Sequence, residues 1–117
     1  MPEGAGAKGR LNYIELTVGD TAMSSAFYTE VFGWQFTQFG PSYATTTENG
    51  TDVGLQADGP SAPPLLVVQV GDLEVALRAV EAAGGTIAQP IFSFPGGRRF
   101  EFADPAGNRL AAMQPDG

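Results

Sequence analysis

The chain contains no His and no Cys. Its chemistry is left to carboxylates, phenols, hydroxyls, amides and guanidiniums. Ser–His and Cys–His nucleophile systems are excluded, as are thiolate metal sites and disulfides. The richest cluster lies in residues 11–18, LNYIELTV. Period-2 alternation puts Tyr13, Glu15 and Thr17 on one strand face, with Leu16 and Val18 on the other. A carboxylate beside a phenol outlines an acid–base pair, Glu15 as base and Tyr13 as acid, with desolvation tuning the carboxylate. The plainer alternatives are an ion pair of Glu15 with Arg99 or Arg109, and a Tyr13 ring that only fills volume. Gln56 and Gln69 face the same way as Thr17 and Gly54, and suit the orientation of a ligand. Trp34, Phe39 and Tyr43 offer an aromatic wall, against which core packing competes for Trp34. Phe92 and Phe94 flank a Gly/Pro loop as lid contacts. Arg98-Arg99 suits a carboxylate or phosphate, or else a surface pairing with Glu101. The Gly-rich stretches hold no phosphate-loop pattern.

The elements that must position these residues come in two copies. Val-Gly-Asp occurs at Val18-Gly19-Asp20 and again at Val70-Gly71-Asp72, 52 residues on, and Gly33 repeats at the same offset as Gly85. Self-similarity at a fixed period marks repeated supersecondary units. In each copy a strand leads into an Asp N-cap. Met23, Ala26, Phe27 and Val31 recur at helical spacing and predict a buried stripe, ended by Gly33. Trp34–Phe39, Ser42–Thr47 and Thr51–Gln56 read as strands, the last two joined by an Asn49-Gly50 hairpin. In the second copy, Leu65–Val70 is a strand. Leu73, Ala76, Leu77, Val80 and Ala83 make a helical stripe that ends at Gly84-Gly85. Thr86–Gln89 is a short strand that Pro90 confines to an edge or end. Phe94-Pro95-Gly96-Gly97 is a loop, and Arg98–Ala103 and Arg109–Gln114 close the copy around an Asp104-Pro105-Ala106-Gly107 turn. The expected fold is α+β, two βαβββ modules forming a curved mixed sheet with a concave cleft and the helices outside. It fills one domain over residues 10–114: module one 10–57, a linker 58–64 and module two 65–114. Residues 1–9, rich in Gly and Ala, are expected to be disordered.

The net charge of −7 argues against nucleic acid, which needs clustered Lys and Arg, and against an anionic membrane surface. No apolar run approaches a membrane span. Met1–Arg10 lacks the apolar stretch of a secretory signal, and the absence of Cys fits a cytoplasmic protein.

The run Asn12–Asp20, then Phe27-Tyr28 and Val31-Phe32-Gly33-Trp34, resembles the first module of the glyoxalase/bleomycin-resistance/extradiol-dioxygenase proteins, the vicinal oxygen chelate superfamily. Gly84-Gly85, Pro95-Gly96-Gly97 and Asp104–Asn108 resemble its closing elements. The resemblance covers about residues 10–114. It implies a cleft-forming eight-stranded fold, a common homodimer and, in its enzymes, a divalent metal. The metal-ligand positions fall at Tyr13, near Gly54, at Leu65 and at Ala111. Leu65 and Ala111 supply no donor, so no metal and no cofactor are expected. The resemblance then implies a metal-free protein that binds a small organic molecule, a metabolite or drug, through Tyr13, Glu15, Thr17, Trp34, Gln56, Gln69, Phe94 and Arg99. The alternative is a metal-free isomerase, epimerase or cyclase with Glu15 and Tyr13 as catalytic residues. A metal-dependent lyase or dioxygenase would need a displaced site built from Glu15, Asp52 and Glu101.

Overall fold

The computed structural model describes residues 8–47 and 49–117. The disorder expected of residues 1–9 concerns, at 1–7, residues outside that description. Among the described residues eight strands and two helices follow in the order β1 (Arg10–Thr17), α1 (Thr21–Phe32), β2 (Phe36–Gln38), β3 (Tyr43–Thr46), β4 (Asp52–Gln56), β5 (Leu65–Gln69), α2 (Leu73–Ala82), β6 (Thr86–Phe94), β7 (Gly97–Ala103) and β8 (Arg109–Pro115). The class is α+β and the βαβββ order repeats, as the paired Val-Gly-Asp motifs predict. Two compact units divide the described residues, Asn12–Leu65 and Leu66–Gly117, the second also including residues 8–11.

In the Asn12–Leu65 unit the strand order is β2-β3-β4-β1. β1 runs parallel to β4, and β3 antiparallel to it. The β3–β4 register sets Tyr43 opposite Gln56 and Thr45 opposite Gly54. It is symmetric about Asn49-Gly50, where Gly50 takes φ +86°, so the hairpin dipeptide fixes which side chains meet. One sheet face packs Ala44, Val53 and Leu55 with Leu16, Val18, Tyr28, Trp34 and Phe36. Asp20 caps α1 by accepting the Met23 amide at 3.1 Å, and Gly33 ends it in the left-handed region at φ +75°.

The stripe expected on α1 faces the other way. Met23, Phe27 and Val31 are 72, 58 and 52% exposed, and Ala26 is exposed too. The helix turns Thr21, Ser25 and Tyr28 toward the sheet instead. Thr21 is buried, and its hydroxyl accepts the Gln38 side-chain amide at 2.9 Å. Tyr28 stacks on Trp34 with ring centroids 5.4 Å apart. A polar anchor and an aromatic stack therefore set the rotation of α1, overriding the spacing of its apolar residues.

In the Leu66–Gly117 unit the order is β5-β8-β7-β6, with β5 parallel to β8 and the other pairs antiparallel. Here the stripe behaves as expected. Leu73 and Ala76 are buried with Val70, Phe100 and Ala112, and Leu77 and Val80 pack against them; Ala83 is exposed at the helix end. Asp72 caps α2 through the Val75 amide at 3.0 Å. β6 is longer than the predicted Thr86–Gln89. It runs to Phe94 as an outer strand, with register shifts on both sides of Gln89. The expected loop Phe94–Gly97 is a tight turn, because Phe94 and Gly97 pair and only Pro95-Gly96 lie between them.

Candidate functional site

The sheet face of the Asn12–Leu65 unit opposite Leu16 and Leu55 carries Tyr13, Glu15 and Thr17 from β1. Register extends two of these rows across three strands and the third across two. Glu15 pairs with Gly54, which pairs with Thr45; Thr17 pairs with Gln56, which pairs with Tyr43; Tyr13 pairs with Asp52. Gly54 is buried and lies in the middle row with no side chain. The phenols of the two adjoining rows, Tyr13 on one side and Tyr43 on the other, lean over it and hydrogen-bond to each other. Tyr13 Oη also donates to Thr45 Oγ1 at 3.0 Å. Thr45 Oγ1 in turn lies 3.0 Å from the Thr46 carbonyl and 3.2 Å from that of Val53. A hydroxyl carries one proton. With Thr45 donating to a backbone carbonyl and Tyr13 to Thr45, Tyr43 donates to Tyr13, giving a directed chain of three hydroxyls. The phenol link can run in either sense, and a chain of hydroxyls of this kind suits a carbonyl or hydroxyl oxygen.

Glu15 is half-buried, on the row beneath the phenols. Thr17 is also half-buried, and the Gln56 side chain donates to Asp58. Trp34 belongs to the helix side, in ring contact with Tyr28 and Phe32, so it packs the core and does not form a ligand wall. Tyr43 and Thr45 are the site residues that sequence reasoning undervalued. Their signal was available: a hairpin centred on Asn49-Gly50 places both on the face of Gly54.

The Leu66–Gly117 unit has a second polar group. Arg98 and Arg99 do not act as one patch. Arg98 pairs with Glu74 of α2 at 2.6 Å. Arg99 faces the opposite way, its guanidinium carbon 5.4 Å from the Phe92 ring centre and 5.9 Å from that of Phe94. Cation–π geometry of this kind holds a guanidinium in place. Phe92 and Phe94 are therefore strand residues bracketing Arg99 and not a lid. Glu101 accepts from Arg99 at 3.1 Å and from Arg109 at 2.9 Å, so two cations share one carboxylate. Gln69 accepts from Arg10 at 3.2 Å. The alternative pairing of Glu101 with Arg99 is realised, now with Arg109 added.

The profile of the Glyoxalase/Bleomycin resistance protein/Dioxygenase superfamily matches residues 10–112. The chain belongs to this superfamily. Among its relatives is the protein named "Putative glyoxylase CFP32" of Mycobacterium bovis and Mycobacterium tuberculosis, 28% identical over 120 residues covering 92% of this chain and 46% of that protein. The chain spans about half the length of the curated relatives it matches. A solved structure described as NAD-dependent benzaldehyde dehydrogenase from Legionella pneumophila superposes with a TM-score of 0.70 at 25% identity, covering 90% of this chain and 99% of that one. Methylmalonyl-CoA epimerase from Mycobacterium tuberculosis superposes at 0.72 with 15% identity, covering 92% and 89%; at that identity the likeness is one of fold.

The superfamily's metal chemistry needs several O or N donors around one point. Of Tyr13, Gly54, Leu65 and Ala111 only Tyr13 has a side-chain heteroatom, and its phenol is held in hydrogen bonds to Tyr43 and Thr45. Among the described residues no three acidic side chains gather where they would hold an ion. Asp52 accepts the Thr46 hydroxyl at 2.7 Å and the Asn49 amide at 3.2 Å, and Glu101 is engaged by two arginines. Of the four positions that the resemblance assigns to the metal, one carries a side-chain donor, too few for the several that a divalent cation needs. No helix among the described residues is long and apolar enough to cross a membrane.

Proposed function

We propose that this superfamily member binds a small organic molecule bearing a carbonyl or hydroxyl oxygen, without a metal, on the open sheet face of the Asn12–Leu65 unit. The observation that supports this reading is the Tyr13–Tyr43–Thr45 hydroxyl chain over side-chain-less Gly54. Tyr43 and Tyr13 address the polar atom, and Glu15, Thr17 and Gln56 orient the rest. Affinity comes mainly from apolar burial. The chain works in the cytoplasm.

A metal-free isomerase, epimerase or cyclase is the second reading. It is favoured by Glu15 lying on the Gly54–Thr45 row beneath the phenols. There Glu15 takes a proton from carbon next to the ligand carbonyl, and the hydroxyl chain hydrogen-bonds the oxygen that gains charge.

A thermal-shift screen of carbonyl-bearing metabolites separates these readings. A ligand should stabilise the wild type and lose most of its effect with Tyr43→Phe or Tyr13→Phe. Glu15→Gln should weaken a pure binder, but leave an enzyme able to bind and unable to turn over. Ligands that shift the phenylalanine variants as much as the wild type place the site elsewhere. Elemental analysis after incubation with Mn, Fe(II), Co, Ni and Zn should find none retained, and near-stoichiometric retention that Glu15→Ala abolishes would restore a metal enzyme.

A further inference from the structure

The turn between β3 and β4 holds reactive groups of its own. Asn49 and Gly50 lie outside both strands and are exposed. Gly50 has no side chain to shield its amide nitrogen, and a Cβ placed there would meet nothing within 4 Å. At an Asn-Gly step the side-chain amide carbon of the first residue and the amide nitrogen of the second can close a five-membered ring. A side chain on the second residue hinders that approach, and glycine does not. The other two asparagines are placed differently. Asn12 lies within β1 and is followed by Tyr13. Asn108 donates its side-chain amide to Asp104 Oδ2 at 3.0 Å and its backbone amide to Asp104 Oδ1 at 2.9 Å, and Arg109 follows it.

We propose that Asn49 is a site of spontaneous covalent modification in the folded chain, converting through a succinimide to aspartate and isoaspartate. The Gly50 amide nitrogen, after losing its proton to hydroxide, attacks Asn49 Cγ. The new C–N bond closes the ring, and Nδ2 takes a proton from water and leaves as ammonia. Water then adds to one of the two ring carbonyls, and the C–N bond at that carbon breaks, the nitrogen regaining its proton. Opening at Cγ gives aspartate. Opening at the main-chain carbonyl gives isoaspartate, whose backbone runs through Cβ and Cγ and is one atom longer. Nothing is oxidised or reduced, and no ligand is needed.

The product falls on the group that sets the turn. Asp52 Oδ1 accepts the Asn49 amide at 3.2 Å and the Thr46 hydroxyl at 2.7 Å, and the Val53 amide donates to that hydroxyl at 3.0 Å. Either product puts a new carboxylate on the residue whose amide Asp52 accepts, and like charges repel. Isoaspartate also lengthens the loop, and loop length fixes hairpin register. The pairing of Thr45 with Gly54 is therefore loosened most by isoaspartate.

Ageing the full chain at body temperature, from neutral to mildly alkaline pH, with peptide mass mapping tests this. The peptide holding Asn49 should gain the mass of an amide-to-acid conversion and accept a methyl group from an isoaspartyl methyltransferase. The net charge should move one unit beyond −7, giving a more acidic band on isoelectric focusing. The rate should rise in proportion to hydroxide, while the peptides holding Asn12 and Asn108 stay unchanged. The folded chain should react within about tenfold of the urea-unfolded chain, because an exposed turn opens at little cost. Gly50→Ala should slow the conversion strongly. Gly50 has φ +86°, so that variant is strained, and Asn49→Gln, whose ring would need six members, gives the same readout without the strain. The isolated isoaspartate form should exchange the amide hydrogens of β3 and β4 faster than Asn49→Asp does. An Asn49 that stays intact in the folded chain while the unfolded chain converts would overturn the proposal. So would a rate indifferent to pH, equal conversion at Asn108, or isoaspartate and Asn49→Asp forms with the same exchange.

Discussion

Alanine at Gly54 should be far more disruptive than its added methyl group suggests. A Cβ there would stand 2.8 Å from Tyr13 Cζ and 2.8 Å from Tyr43 Oη, with Tyr13 Oη closer still. Carbon contacts relax only near 3.5–4.0 Å, so both phenols must swing away. The ring of Tyr13 is rigid and cannot yield by bending its tip. Overpacking of this sort costs about 1–3 kcal/mol, and each lost hydroxyl hydrogen bond adds about 0.5–1.5 kcal/mol. The expected loss is about 2–4 kcal/mol, a large part of the ~5–15 kcal/mol that holds a domain together. Urea denaturation of four proteins tests the cause: wild type, Gly54→Ala, Tyr13→Leu and the double variant. Once Tyr13 is shortened, the alanine should cost less than about 1 kcal/mol, giving a coupling energy above about 1 kcal/mol. Equal cost in both backgrounds would mean that the phenols are not what keeps residue 54 bare, and the hydroxyl chain would lose its structural basis.

Acid should destabilise the fold through two particular carboxylates. The Arg98 hydrogen bond holds Glu74 below the usual carboxylate range. Hydrogen bonds from the Asn108 side chain and backbone do the same for Asp104, which also accepts from Ala106. A lowered folded value means the contribution is complete above the unfolded pKa near 4 and is lost as pH falls through the folded one. Melting temperature followed from neutral pH into acid should therefore drop less steeply for Asp104→Asn than for the wild type, and superimposable profiles would refute the assignment. In the core, Phe100→Ala removes a fully buried ring packed on Leu73, Ala76 and Ala112. It should cost about 3–5 kcal/mol by urea midpoint; a loss below about 1 kcal/mol would show that the pocket collapses around the gap.

Much of the fold was legible because its punctuation is local. Asp20, Asp72, Gly33 and Asn49-Gly50 each act on the nearest few residues, and each does in space what its chemistry predicts. Alternation in β1 correctly grouped Tyr13, Glu15 and Thr17. One reading failed where tertiary contacts decide. The rotation of α1 depends on Gln38 reaching Thr21 across 17 residues, which spacing within the helix does not encode. The separation of Arg98 from Arg99 follows from strand alternation and was available in the sequence. That Arg99 finds Phe92 and Phe94 was not, because β6 continues through Pro90 with shifted register. In the site, Tyr43 and Thr45 could be inferred only by carrying the hairpin register through to Gly54.

The irregularity of β6 has a consequence for the chain in crowded solution. As a strand at the edge of the sheet, β6 is where a stray strand from another molecule would add and seed aggregation. Pro90 removes one donor from that rim, and the two register shifts around Gln89 break its flatness. A foreign strand would find the hydrogen-bonding ladder interrupted midway. The same disorder that hid the reach of β6 from sequence reading makes it a poor template for fibrils.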